Sequence, residues 1–219
     1  MLKVVVFDNG YGGEFFADLL KEELPVIEII RVIDWRHAKE IQESPRKARQ
    51  LAKDALRPYI GKVDLIIFAN YLLSLTSINY FCRRYKNQRF IGINLKKPDN
   101  SSKKDVILLT TKAVTRTARY YNYLLRTRRK IKTVVLESWP TKIDDGELTK
   151  TEIEQALRSF IKDRCGSKEV VLGCSQFYDI KPELKNIFGH NLKIYDGFNE
   201  TIREVCKTLK VRGSAKKIK

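Results

Sequence analysis

Short apolar, β-branched runs recur along the chain, and most are followed by a longer stretch with helical spacing. The runs are Lys3–Phe7, Val26–Val32, Leu65–Ala69, Phe90–Ile93, Val106–Leu109, Thr133–Leu136, Val170–Leu172 and Leu192–Tyr195. Uninterrupted runs of this kind suit parallel strands buried on both faces. Helical patterns fill the gaps at Gly13–Glu23, Pro45–Tyr59, Ser77–Tyr85, Val114–Arg126, Lys150–Arg164 and Asn199–Leu209. Such alternation predicts βαβ units and an α/β fold with mainly parallel sheets flanked by helices. Two helix starts are signalled directly. Ser44-Pro45 puts proline at a first helical position, and Thr149 precedes Thr151-Glu152.

The order also repeats. Asp8 ends the first strand and Asn70 ends the third, 62 positions later; Thr110 and Cys174 end two later strands 64 positions apart. This pattern predicts two pseudo-symmetric lobes, residues 1–97 and 105–197, joined by the polar segment Pro98–Lys104. A closing helix at 198–211 is expected to return to the N-terminal lobe, with a basic tail at 212–219.

Composition narrows the class. Against 26 Asp+Glu stand 43 Lys+Arg, a net charge of +17. Six basic residues lie between Lys207 and Lys219, so +11 remains for the folded body. From Lys112 to Lys132 there are eight basic residues and no acid. In helical register, Val114, Ala118, Tyr121 and Leu125 form an apolar stripe there, and Arg116, Arg119, Tyr123, Arg126 and Lys130 a basic one. Two readings stay open: a solvated surface, or a face for weak, non-specific, salt-dependent nucleic-acid binding.

No stretch approaches the roughly 20 apolar residues of a membrane span. Asp8 interrupts the opening apolar run, so no signal peptide is read. A cytoplasmic, soluble protein with no membrane partner is expected. The cysteines Cys82, Cys165, Cys174 and Cys206 share no CxxC spacing, and His37 and His190 add no zinc pattern, so no metal site is drawn. Cys82, Cys165 and Cys206 read as small hydrophobes.

In α/β sheets ligands bind beyond the carboxyl ends of strands. Two lobes facing each other would bring Asp8-Asn9, Asn70-Tyr71, Thr110-Thr111 and Cys174-Ser175 around one cleft. The loop Asp8-Asn9-Gly10-Tyr11-Gly12-Gly13 could admit an anion to backbone N–H groups, or merely start a helix. Gly173 before Cys174 reads as room for close ligand approach, with Cys174 a candidate acid–base thiol.

These segments resemble those of glutamate racemase and the wider aspartate/glutamate racemase superfamily, in the same order over nearly the whole chain. Val5-Val6-Phe7-Asp8-Asn9-Gly10-Tyr11-Gly12-Gly13 is similar to the family's V-F-D-S-G-x-G-G. Leu172-Gly173-Cys174-Ser175-Gln176-Phe177-Tyr178, then Lys181-Pro182, is similar to L-G-C-T-H-Y-P…K-P, and Asp196 with the following helix matches the closing segment. The resemblance implies two lobes with an active site between them, and no cofactor. Two cysteines on opposite faces of the substrate α-carbon there exchange its proton.

Here the family's A-C-N-T-A-S reads Ala69-Asn70-Tyr71-Leu72-Leu73-Ser74, placing Asn70 at the first cysteine. A neutral amide is no base at physiological pH. The family's D-T-A-R-x-P-Y-G-x-x-S runs from Asp34 to Ser44 without its Pro-Tyr-Gly, its histidine after the second cysteine is Gln176, and its A-T-x-x-T-V reads Thr110-Thr111-Lys112-Ala113-Val114-Thr115. Carried over residue by residue, the catalytic candidates are Cys174 and Asp8. The substrate-binding candidates are Asn9, Gly10, Tyr71, Thr110, Thr111, Ser175 and Gln176. Three functions stay open: a degenerate relative that binds without racemising, a one-cysteine enzyme of the arylmalonate decarboxylase type, and an active racemase with Tyr71 as substitute base. Partners left open are a small carboxylate or amino acid, nucleic acid, and a second copy of the chain as a homodimer.

Overall fold

The computed structural model describes residues 1–93, 95, 97–98, 105–127, 129–162 and 168–213. The chain divides into two compact units, Met1–Asn94 with Gly197–Lys219, and Leu95–Asp196. The polar segment expected as a linker falls largely outside the described residues, as do Cys165 and most of the basic tail.

The first unit contains, in order, β1 (Leu2–Asp8), α1 (Tyr11–Glu23), β2 (Ile27–Ile33), α2 (Ala38–Glu43), α3 (Pro45–Leu56), β3 (Leu65–Phe68), α4 (Tyr71–Thr76), α5 (Ile78–Arg84) and β4 (Phe90–Gly92). Its sheet is wholly parallel in the order β2-β1-β3-β4. The run Val4–Phe7 is fully buried, as is all of β3, which is why neither alternates polar and apolar positions. Phe68 meets Phe7, Phe81 and Phe90 at ring-centroid distances of 6.0, 4.9 and 6.0 Å. Burying one such ring stabilises by about 1.5–3 kcal/mol.

The second unit contains β5 (Asp105–Thr110), α6 (Lys112–Thr115), α7 (Ala118–Arg126), β6 (Ile131–Val135), α8 (Trp139–Asp144), α9 (Lys150–Lys162), β7 (Lys168–Gly173), α10 (Lys181–Phe188) and β8 (Lys193–Tyr195). Its parallel sheet has the order β6-β5-β7-β8, the same connectivity as the first. Ile107, Leu109, Val170 and Leu172 pack with Trp139, Leu157, Phe177 and Leu184 from the surrounding elements. Finally α11 (Phe198–Leu209) belongs to the first unit, where Phe198 lies edge-on to Phe16 at 5.2 Å and Arg89 Nη1 donates to Thr208 O at 3.0 Å.

The two signalled caps are made. Ser44 Oγ accepts from Lys47 N at 3.1 Å. Thr149 and Glu152 form a reciprocal capping box, with Glu152 N donating to Thr149 Oγ1 at 3.3 Å and Thr149 N to Glu152 Oε2 at 3.0 Å. Short helices at α2, α4, α8 and α10 were not in the sequence pattern. They span only 6–8 residues, too few for a helical period to show above noise.

The continuous helix expected at Val114–Arg126 is broken. Thr117 ends one turn and caps the next, its hydroxyl accepting from Tyr120 N at 3.2 Å. The restart shifts the helical phase, so Tyr120 and Tyr123 are buried while Tyr121 and Leu125 are 58% and 82% exposed. The expected apolar and basic stripes are therefore wrong at these tyrosines. Arg129, counted with the basic run, is 4% exposed and pairs with the fully buried Glu169. Cys82, expected as a small core residue, is exposed.

Candidate functional site

The strands of the first sheet end side by side. Ala69 N donates to Phe7 O at 2.8 Å and Asp34 N to Asp8 O at 2.9 Å, bringing the ends of β1, β2 and β3 together. Asp8 is buried at this edge, and α1 closes over it so tightly that a Cβ on Gly13 would lie 2.4 Å from Asp8 Cβ. Any side chain there would displace the helix, which explains a glycine within its first turn. Gly10 at the helix start has an ordinary extended backbone, φ −169°.

Asp8 Oδ1 accepts from Asn9 N at 2.7 Å and from Asn70 Nδ2 at 3.1 Å. The Asn70 amide also donates to Asn9 Oδ1, while its own oxygen accepts from Leu73 N at 2.9 Å and so caps α4. Its orientation is decided by these partners, because only the oxygen can receive the Leu73 N–H. Asp8, Asn9 and Asn70 form one connected buried cluster. The Asn9 N–H that the sequence offered to an outside anion is taken by the chain's own carboxylate. Tyr71, the sequence's substitute base, is 2% exposed.

A pair that sequence reasoning did not single out stands beside them. Past the end of β2, His37 Nδ1 lies 2.7 Å from Asp34 Oδ2. An Asp-x-x-His spacing directly after a strand was the signal available, since a single helical turn brings such residues together.

In the second unit Thr110 pairs with Gly173 across β5 and β7. A Cβ on Gly173 would lie 2.7 Å from Thr110 Oγ1 and 3.1 Å from Leu109 O. The space before Cys174 is thus filled by Thr110, not left for a ligand as the sequence suggested. Thr111 and Ser175 are buried, and Cys174 is half-buried. The Cys174 thiol donates to Gln176 Oε1 at 3.0 Å, Ser175 Oγ donates to the same oxygen at 3.2 Å, and Gln176 Nε2 donates to Asp144 Oδ2 at 3.4 Å. Asp144 thereby turns the Gln176 carbonyl towards the thiol. Nearby, Lys181 Nζ pairs with Asp196 Oδ2 at 2.7 Å and lies 4.1 Å above the Tyr178 ring, tying the segment after Cys174 to the end of β8.

Each unit therefore presents polar groups at its sheet's carboxyl edge: a carboxylate–amide cluster and an Asp–His pair in the first, a thiol with hydroxyls and an amide in the second. Among the described residues, no group of three or more His, Cys, Asp or Glu side chains could hold a metal ion. No helix of the described chain is long and apolar enough to cross a membrane.

No family model matches the sequence. The chain is 25% identical over 224 residues to glutamate racemase of Clostridium perfringens strain SM101, covering 97% of this chain and 85% of that protein. Its fold is similar to that of Escherichia coli glutamate racemase in complex with L-glutamate and an activator, with TM-score 0.80 at 17% identity over 98% of this chain and 84% of that one. Allantoin racemase of Klebsiella pneumoniae is also similar, with TM-score 0.53 at 14% identity over 99% and 92%. The two four-stranded parallel sheets flanked by helices match the two-lobed glutamate racemase fold. Sequence relatives and fold neighbours together support a place in the aspartate/glutamate racemase superfamily.

Proposed function

We propose that this chain is a degenerate relative of the two-thiol racemases, one that binds a small carboxylate or amino acid and keeps a single thiol acid–base group, Cys174. In the second unit the candidate groups are Cys174 with Thr110, Thr111, Ser175 and Gln176, and in the first unit they are Asp8, as a catalytic candidate, with Asn9, Gly10 and Tyr71. The observation that carries this reading is the engagement of Asn70. At the position the resemblance assigns to a cysteine stands an amide that caps α4 and holds Asp8 and Asn9. It is a structural group that neither takes up nor releases a proton as an acid or base at physiological pH. Proton transfer between two thiols is then unavailable, and Cys174 can donate to or accept from a carbon acid at one face.

The test is incubation of the purified protein with each enantiomer of glutamate and aspartate in deuterium oxide, following α-proton exchange and optical rotation separately. Exchange that falls in Cys174→Ala supports the one-thiol reading. Losing one positioned acid–base group costs about 10²–10⁴-fold, so inversion should fall short of a two-thiol enzyme by that order. Inversion at a two-thiol rate would refute it.

A further inference from the structure

We propose that His37, oriented by Asp34, is a second acid–base group, acting on a carbon acid bound at the carboxyl edge of the first sheet. The inference rests on the reading that a small carboxylate binds there. Asp34 follows the last residue of β2, and its backbone N–H donates to Asp8 O at 2.9 Å, so it begins one hydrogen bond away from the Asp8–Asn9–Asn70 cluster. Its side chain is only 10% exposed. One carboxylate oxygen, Oδ2, meets His37 Nδ1 at 2.7 Å; the other, Oδ1, is buried with no hydrogen-bond partner. Leaving a carboxylate oxygen in that state costs free energy unless something outside the chain satisfies it.

Capping does not explain the carboxylate. Asp34 precedes the single turn Trp35–His37 but makes no side-chain hydrogen bond to its backbone. Among the described residues, its one side-chain hydrogen-bond partner is the imidazole. An ionised carboxylate can only accept, so Nδ1 carries the hydrogen, and a ring without a second proton has its lone pair on Nε2. The His37 side chain is 35% exposed, and no described residue hydrogen-bonds Nε2. The next residue, Ala38, offers its carbonyl to Asn9 Nδ2 at 3.5 Å, linking the pair to the cluster. Trp35 stands edge-on to Tyr11 at 5.0 Å, both half-exposed.

In the step, the Nε2 lone pair takes the α-proton of the bound carboxylate. The C–H electron pair moves into the carboxylate as an enediolate, and the imidazolium is stabilised by Asp34. Return of a solvent-derived proton from Nε2 to the carbon restores both partners. His37 is the catalytic residue and Asp34 the positioning residue.

Four proteins decide it: wild type, Cys174→Ala, His37→Gln and the double variant, each checked for folding by thermal denaturation. With D- and L-glutamate and D- and L-aspartate in deuterium oxide, Cys174→Ala should lower α-proton exchange without abolishing it, and adding His37→Gln should lower the remaining, thiol-independent exchange by about 10²–10⁴-fold. Exchange unchanged in His37→Gln but abolished in Cys174→Ala would overturn the inference and leave the thiol reading standing. Exchange unchanged in Cys174→Ala but lost in His37→Gln would do the reverse. No exchange in any protein would overturn both. The second readout is the imidazole ¹⁵N spectrum. The chain has only two histidines, so His190→Gln assigns His37. The Nδ1–H tautomer is expected in wild type and its loss in Asp34→Asn; an Nε2–H tautomer in the wild type would overturn the proposal.

Discussion

Asn70 donates its side-chain N–H to Asp8 Oδ1 at 3.1 Å, across the ends of two adjacent parallel strands, while its amide oxygen caps the helix that follows. One side chain thus joins β1, β3 and α4. Asn70→Ala removes an N-cap, worth about 1 kcal/mol, and leaves the buried Asp8 carboxylate short of a donor, worth a further ~1–3 kcal/mol. Urea denaturation should therefore show a loss of roughly 2–4 kcal/mol. Asn70→Asp keeps the cap but sets a second carboxylate against Asp8. Its deficit should shrink as the pH falls and one of the two carboxylates becomes protonated.

Gly173 is a packing requirement of the β5–β7 contact. Gly173→Ala should destabilise by about 1–3 kcal/mol, the usual cost of overpacking. Thr110→Ala in the same chain should recover only part of that loss, because alanine keeps the Cβ of residue 110, 2.9 Å from the added Cβ, and Leu109 O, 3.1 Å away, belongs to the backbone. A double-mutant cycle by chemical denaturation measures the coupling. Full recovery would show that the Thr110 hydroxyl was the whole obstacle.

Arg129 and Glu169 form a buried ion pair, and Tyr195 Oη donates to the same Glu169 oxygen at 3.3 Å. Arg129→Ala strands a buried carboxylate and should cost about 3–5 kcal/mol. Arg129→Met with Glu169→Leu should cost much less than either single change, since no buried charge is left alone. The comparison separates the penalty of breaking the pair from its net worth.

Glu152 caps α9 and pairs with Lys142. The Lys142 ammonium, then the Thr149 N–H and hydroxyl, hold the Glu152 carboxyl down at about 2, against an ordinary 4.5. A depressed folded value means that this contribution is fully present above about 4.5 and is lost as pH falls towards about 2. Glu152→Gln should lower stability above about 4.5, where that contribution is present, and converge with the wild type as pH falls towards about 2. An acid limb identical to that of the wild type would remove Glu152 from the account.

Much of the fold was legible in local pattern. Val4–Phe7 and Leu65–Phe68 are unbroken apolar runs because strands covered on both faces need no polar alternation. Ser44-Pro45 and Thr149-x-x-Glu152 announced helix starts because capping depends on neighbours three residues apart. The polar residues at strand ends, Asp8, Asn70 and Thr110, stood out as breaks in those runs. The family resemblance drew attention to Cys174.

Tertiary structure decided the rest. Spacing alone made Tyr121 an inward residue and Tyr123 an outward one, until the Thr117 cap restarted the helix and reversed them. Gly173 read as space for a ligand until β5 placed Thr110 in that space. Asn70 read only as a missing cysteine, and its hydrogen bonds to Asp8 come from a residue 62 positions away. Asp34 and His37 looked like remnants of a lost segment, yet the turn after β2 makes them a pair. Periodicity and capping are properties of a few consecutive residues, so a sequence displays them. The occupancy of a gap and the partner of a buried carboxylate depend on which distant segments the sheets bring side by side.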